Sequence, residues 1–262
     1  MSESVLLSVD ERGVATVTLN KPEKHNAFDD VLIAELTETF KKVGSDDSIR
    51  AMILASNGKS FCAGADLNWM RRMAEYGYEE NLKDANALAD MLWELNFMPK
   101  PTIARVQGAA FGGAVGLIAC CDVAIGSKMS KFCLSEVKLG LIPATISPYV
   151  VEAIGARIAR RYFTSAEVFS ARRARRIGLL SEAVTEEELD STIDDILGNI
   201  LKNGPAAVAQ AKQLVFDVAH RPIDKALAEE TSKRIANIRV SEEGQEGLHA
   251  FLQKRSPNWL KG

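Results

Sequence analysis

Few residues in this chain of 262 could do chemistry, and most familiar arrangements are missing. The histidines His25, His220 and His249 have no second histidine one turn away and no clustered cysteine, so zinc-site spacing is absent and no metal is expected. There is no phosphate loop of the G-x-x-x-x-G-K-[ST] type, no G-x-G-x-x-G after a strand and no G-x-S-x-G elbow. What remains is main-chain chemistry at two glycine-containing loops. Ala63-Gly64-Ala65-Asp66 precedes a predicted helix for which Asp66 is a good N-cap, and Gly112-Gly113 stands at a second strand-to-helix junction. The first N–H groups of a helix lack internal partners and point outward. Two such junctions in neighbouring units can aim two N–H groups at one point. That arrangement is an oxyanion hole, in which removing one donor costs about 2.7–4 kcal/mol of transition-state stabilisation. Taken singly, each loop is more simply read as a tight turn or a close helix contact.

Glu136, in Leu134-Ser-Glu-Val-Lys-Leu-Gly140, is the third piece. It is either a solvated edge charge or, if buried beside a substrate, a carboxyl whose desolvation raises its pKa and fits it for proton transfer near neutrality. Trp69, Met70, Met73, Tyr76 and Tyr78 accompany Arg71 and Arg72. They read as an amphipathic helix packed on the core, or as the wall of an acyl pocket with a cation at its mouth. The basic clusters at 157–161 and 172–176 read as solvated helix faces on a chain of net charge −3.

The elements that must position these residues follow from periodicity. Residues 4–20 alternate as a β-hairpin about Gly13, and 29–44 carry Val31, Leu32, Leu36 and Phe40 at helical spacing. A continuous apolar run at 51–56 fits a strand buried on both faces. Helices are predicted over 67–76 and 80–97, a strand over 102–107, a helix running to about 120, and strands over 122–126 and near 132–134. Strand, loop, helix and strand repeat, which makes this an α/β chain with right-handed crossovers. Beyond 185, helices are predicted over 186–201, 205–218, 222–238 and 241–254. The division expected is a core over 1–195 and a helical region over 196–262, whose apolar stripe (Ala207, Ala211, Leu214, Val215 and Val218) suggests self-association.

Composition sets the class. There are 32 Lys+Arg against 35 Asp+Glu, 47% hydrophobic and 26% charged residues, which excludes a disordered chain and argues against a dedicated nucleic-acid or anionic-membrane binder. Cys62, Cys120, Cys121 and Cys133 form no C-x-x-C pair and read as buried thiols of a reducing compartment. No leader is legible at the start, so a cytoplasmic location is expected. The apolar stretch 108–121 is short of the roughly 20 residues of a membrane span.

In order along the chain, Leu19-Asn-Lys-Pro-Glu-Lys-His-Asn-Ala27, Phe61-Cys-Ala-Gly-Ala-Asp-Leu67, Gly108-Ala-Ala-Phe-Gly-Gly113, Asp122-Val-Ala-Ile-Gly126, Lys131-Phe-Cys-Leu-Ser-Glu136 with its continuation to Pro143, and 241–252 together resemble the enoyl-CoA hydratase/isomerase (crotonase) family. The resemblance implies a spiral of ββα units with a C-terminal helical trimerisation region, assembled as a homotrimer or a dimer of trimers. It implies acyl-CoA thioester substrates, with coenzyme A entering as part of the substrate and no separate cofactor. By position, Ala65 and Gly113 match the oxyanion-hole residues. Lys24, Ala27, Ala63, Gly64, Asp66 and Leu67 match positions lining the CoA site, and Glu136 matches the second of two catalytic glutamates. Gly116 stands where hydratases carry the first glutamate, and glycine transfers no proton. The segment 144–150 also departs, replacing a glycine-rich run. One carboxylate can isomerise an enoyl thioester, or hydrate it if Ser147, Thr145 or Tyr149 anchors the water. The details are similar to bacterial methylglutaconyl-CoA hydratases of leucine and acyclic terpenoid breakdown, whose distal carboxylate would suit Arg71 or Arg72, with Trp69, Gly116 and Ser147 in the substrate pocket. An isomerase, or a non-catalytic acyl-CoA- or RNA-binding relative, are the alternatives.

Overall fold

The computed structural model describes residues 4–260. The first hairpin pairs β1 (Val5–Val9) antiparallel to β2 (Val14–Leu19). The Asp10 carboxylate accepts from the Arg12 and Val14 N–H groups and so closes the turn. Helix α1 (Asp30–Ser45) starts where Asp29 caps the Leu32 N–H, and its buried stripe is Leu32, Ile33, Leu36, Phe40 and Val43. Strand β3 (Ala51–Ser56) is followed by α2 (Leu67–Glu75), α3 (Tyr78–Asn96) and β4 (Thr102–Val106). The next unit is β5 (Ala109–Phe111), α4 (Gly113–Cys120), β6 (Val123–Ser127) and β7 (Lys131–Cys133). Then come α5 (Ser147–Ile154), α6 (Ala156–Ser165), β8 (Phe169–Ser170), α7 (Ala171–Ile177) and β9 (Glu182–Val184). Four helices end the chain: α8 (Leu189–Ile200), α9 (Pro205–Val218), α10 (Lys225–Val240) and α11 (Glu242–Leu252).

Two sheets result. The larger has the order β1-β2-β3-β4-β6-β9, parallel throughout except for its first pair, and the smaller has the order β5-β7-β8. Alternation along the large sheet divides the interior. Ala15, Val17, Met52, Leu54, Ala104 and Val106 face the main core with α1, α3 and α4. Val14, Ala51, Ile103 and Ile125 face Leu189, Ile193 and Leu197 of α8 on the other side. Both faces are covered, as a parallel sheet requires.

The boundary expected at residue 195 falls inside α8, whose apolar face is part of the core. The break comes at Gly204-Pro205, where proline at the first helical position starts α9. Strand β5 lies inside what sequence pattern gave as a glycine-rich loop, because three residues are too few to show alternation. The terminal helices hold together through polar contacts. The Glu243 carboxylate accepts from Ala206 and Ala207 N–H at the start of α9, and Arg234 pairs with Asp217 and Glu230. No helix among the described residues is long and apolar enough to cross a membrane.

Because Leu197 is fully buried against the sheet, Leu197→Ala should lower the stability of the whole α/β unit by about 2–5 kcal/mol in urea unfolding. A separate C-terminal domain beginning at 196 would leave the core transition unmoved.

Candidate active site

The site is built where the small sheet ends. Strands β5 and β7 run parallel with Phe111 opposite Cys133, so both chains leave the sheet at one level. One departs as Gly112-Gly113 into α4, and the other as Leu134-Ser135 into a 3-10 turn over Glu136–Leu139. Gly112 takes φ +55°, a conformation L side chains rarely adopt, while its N–H donates to Cys133 C=O at 2.8 Å. A Cβ there would stand 3.3 Å from Glu136 Oε1, so the carboxyl lies directly against the backbone that begins α4.

The first loop is fixed from both sides. Cys62 N–H donates to Ala109 C=O and Phe111 N–H to Cys62 C=O, which ties the loop to β5. On the opposite side Phe28 N–H donates to Gly64 C=O and Asp66 N–H to Phe28 C=O, each at 2.7 Å. In extended chain successive amides face opposite ways. With Asp66 N–H turned to Phe28, the Ala65 N–H turns away from Phe28. Among the described residues neither the Ala65 nor the Gly113 N–H has a hydrogen-bond partner, while the amides of Ala63, Asp66 and Gly112 are all paired. The Phe28 ring also lies against Gly113, where a Cβ would stand 3.1 Å from its Cε2. One buried residue therefore holds both loops.

Electrostatics single out Glu136. It is half-buried, and its Oε2 is buried with no hydrogen-bond partner. Burial pushes its carboxyl above the ordinary glutamate value, only partly offset by its own backbone. Asp66 behaves in the opposite way. Burial would raise it, but the Trp69 and Asn68 N–H groups and then Lys24 hold it below the ordinary value. Asp66 caps α2 and lies 3.5 Å from Lys24 Nζ. Lys24, Ala63 and Leu67 are exposed around this loop, while Ala27 and Gly64 are buried under it.

The other expected site residues have partners of their own. Trp69 is buried with its indole N–H on Asp84 at 2.9 Å, in a cleft shared with Asp30, Ile33 and Ala87. It is a packing residue between α1 and α3. Arg72 pairs with Asp30 at 2.5 Å, whereas Arg71 bonds to the neutral Asn68 carbonyl. The Ser147 hydroxyl donates a hydrogen bond to Ala144 C=O at 2.7 Å, and Tyr149 sits beside Cys120 at the far end of α4. Gly116 is covered by Ile146. Sequence reading missed Phe28, Ile146 and Asn26. The last is fully buried at positive φ, and its side chain bonds Lys21 N–H, Asn57 C=O and Ser60 C=O.

Free amides on two neighbouring loops, with a desolvated carboxyl against one of them, are groups suited to stabilising a developing oxyanion and moving a proton. The chain matches the family model described as enoyl-CoA hydratase/isomerase over residues 10–262 and belongs to that family. An enoyl-CoA hydratase structure from Shewanella pealeana is 47% identical with a TM-score of 0.95, over 98% of this chain and 96% of that one. The crotonyl-CoA hydratase of Syntrophomonas wolfei is 31% identical over 98% of both chains. The 1,2-epoxyphenylacetyl-CoA isomerase of Escherichia coli is 33% identical over 97% of both.

Glu136 has its folded pKa raised, so the native state binds the proton more tightly than the unfolded chain. Its contribution to stability is best at low pH and declines as pH rises from the ordinary glutamate value through the raised one. Glu136→Gln should therefore leave the melting temperature unchanged or higher at pH 7, with a smaller difference at pH 4, in thermal scans at both pH values. A lower melting temperature at pH 7 would place Glu136 in a stabilising ion pair instead.

Proposed function

We propose that this chain is a CoA-thioester hydratase that adds water across the C2=C3 bond of an enoyl-CoA, with 3-methylglutaconyl-CoA or a related branched glutaconyl-CoA as substrate. The observation that carries the reading is the pair of unpartnered amides at Ala65 and Gly113 with one raised carboxyl, Glu136, against the second loop. The thioester oxygen accepts from both N–H groups. Ionised Glu136 takes a proton from water as the water oxygen bonds to C3, and the C2=C3 electrons move onto the thioester oxygen as an enolate. Glu136 then returns that proton to C2, re-forming the carbonyl and the carboxylate. Lys24, Ala27, Ala63, Gly64, Asp66 and Leu67 line the path of the CoA moiety.

Arg71 is the cation for the distal carboxylate, because Arg72 is already paired with Asp30 and Arg71 has only a neutral partner. Ser147 still offers an acceptor to a water. A trimer, or a dimer of trimers, buries the apolar side chains that the terminal helices leave open, among them Phe251 at 82% and Leu252 at 74% exposure. A second reading, a Δ3,Δ2-enoyl-CoA isomerase, is favoured by the single carboxylate, since moving a proton between two carbons needs only one.

A spectrophotometric panel of crotonyl-, 3-methylcrotonyl-, 3-methylglutaconyl- and 3-hexenoyl-CoA tests the reading. Fastest turnover is expected on 3-methylglutaconyl-CoA, and turnover confined to 3-hexenoyl-CoA would establish the isomerase. Glu136→Gln should lower the rate about 10²–10⁴-fold. The acid limb of the rate profile should lie above the ordinary glutamate pKa, because the reactive form is the carboxylate. Arg71→Ala should raise KM for the glutaconyl thioester but not for crotonyl-CoA, and Arg72→Ala should not discriminate between them. Equal effects on both substrates would remove Arg71 from recognition.

A further inference from the structure

Gly116 lies three residues along α4 from Gly113, a rise of about 4.5 Å. Side chains on a helix tilt toward its N-terminus, so anything larger than hydrogen at 116 would run back toward the Gly113 N–H and the carboxyl of Glu136. A glutamate side chain is long enough to cover that distance. The space is taken. A Cβ at 116 would stand 2.7 Å from the Ile146 Cβ, closer still to its Cγ2, and 3.6 Å from Leu92 Cδ2. Ile146 is 2% exposed at the start of α5, and Leu92 is fully buried on α3. Isoleucine is branched at Cβ and stiff about χ1, so it cannot swing aside as a long flexible side chain would. The wall made by Gly116, Ile146 and Leu92 carries no side-chain polar atom to hold a proton or a water.

We infer that Ile146 is the specificity-determining residue that keeps this site to one carboxylate, by filling the space that a side chain at position 116 would need. The inference rests on the proposed enolate chemistry at Ala65, Gly113 and Glu136. Its consequence is that Glu136 carries the proton both ways, with no second acid on the α4 side. Positions 116 and 146 then act as a unit: glycine with isoleucine gives one-carboxylate chemistry, and an acid at 116 requires a small residue at 146.

The test is a double-mutant cycle with two readouts. Gly116→Ala alone should lower the melting temperature by roughly 3–10 °C, from overpacking. In an Ile146→Gly background, which removes both the Cγ2 and the Cβ that a methyl at 116 would meet, the same substitution should cost nothing further. Ile146→Gly with Gly116→Glu should fold, gain a second ionisation in the pH profile of crotonyl-CoA hydration and hydrate at least about tenfold faster than Ile146→Gly alone. The inference is overturned if Gly116→Ala costs the same in both backgrounds. It is equally overturned if the glutamate variant folds but keeps the single ionisation and rate of its parent. Should that variant not fold, the alanine cycle decides, because melting temperature is read without turnover. Failure of Glu136→Gln to slow the reaction would strike the enolate reading instead and leave the steric cycle standing.

Discussion

Parallel pairing of two three-residue strands sets the site. Because β5 and β7 run side by side with Phe111 opposite Cys133, the chain ends that follow them leave at one height. One delivers a helix N-terminus, whose first N–H groups have no internal acceptor. The other delivers a carboxyl. A shift of one residue in that register would carry Glu136 away from Gly112 and turn alternate side chains to the opposite face. The Ala65 loop is bound to the same small sheet through Cys62 and Ala110, and to Phe28 on its outer side. All three pieces are therefore referred to one short ladder.

The electrostatic design follows from that placement. Two carboxylates sit near the two loops, and their surroundings move them in opposite directions. Asp66 is held ionised by two main-chain N–H groups and Lys24, which suits a residue that organises a helix start. Glu136 has no donor on Oε2 and is raised by burial, which suits a residue that must accept and release a proton. Environments that separate two carboxyls in this way mark the difference between a structural and a reactive acid. The unpaired amides carry the complementary cost. They are unpartnered in the folded protein, so in the proposed reaction charge developing on a substrate oxygen would meet donors already in position.

Much of this was legible in the residues. The strand at 51–56, the helices from 67 and 205, and the aspartate and glycines of the two loops follow from pattern and capping chemistry. Ala65, Gly113 and Glu136 came from the order of motifs, and the structure puts their loops side by side. What sequence did not show has a physical reason in each instance. Strand β5 is too short to display alternation. Trp69 has the same apolar signature whether it lines a substrate cleft or packs between helices, and only its hydrogen bond to Asp84 separates the two. Ile146 meets Gly116 across thirty positions of sequence, a contact that no local period encodes. Phe28 acts through its backbone and its ring at once, and neither leaves a pattern. The division expected at 195 falls within α8, because the stripe of that helix is amphipathic whether it faces the sheet or a partner.

The account stands on the two amides sharing one oxygen. A crystal structure with a saturated acyl-CoA thioester bound measures this directly. The thioester oxygen should lie about 2.7–3.2 Å from both Ala65 N and Gly113 N, with the Glu136 carboxyl facing C2 and C3 of the acyl chain. A thioester oxygen bonded to neither amide, or a Glu136 carboxyl turned away from the acyl carbons, would contradict the account.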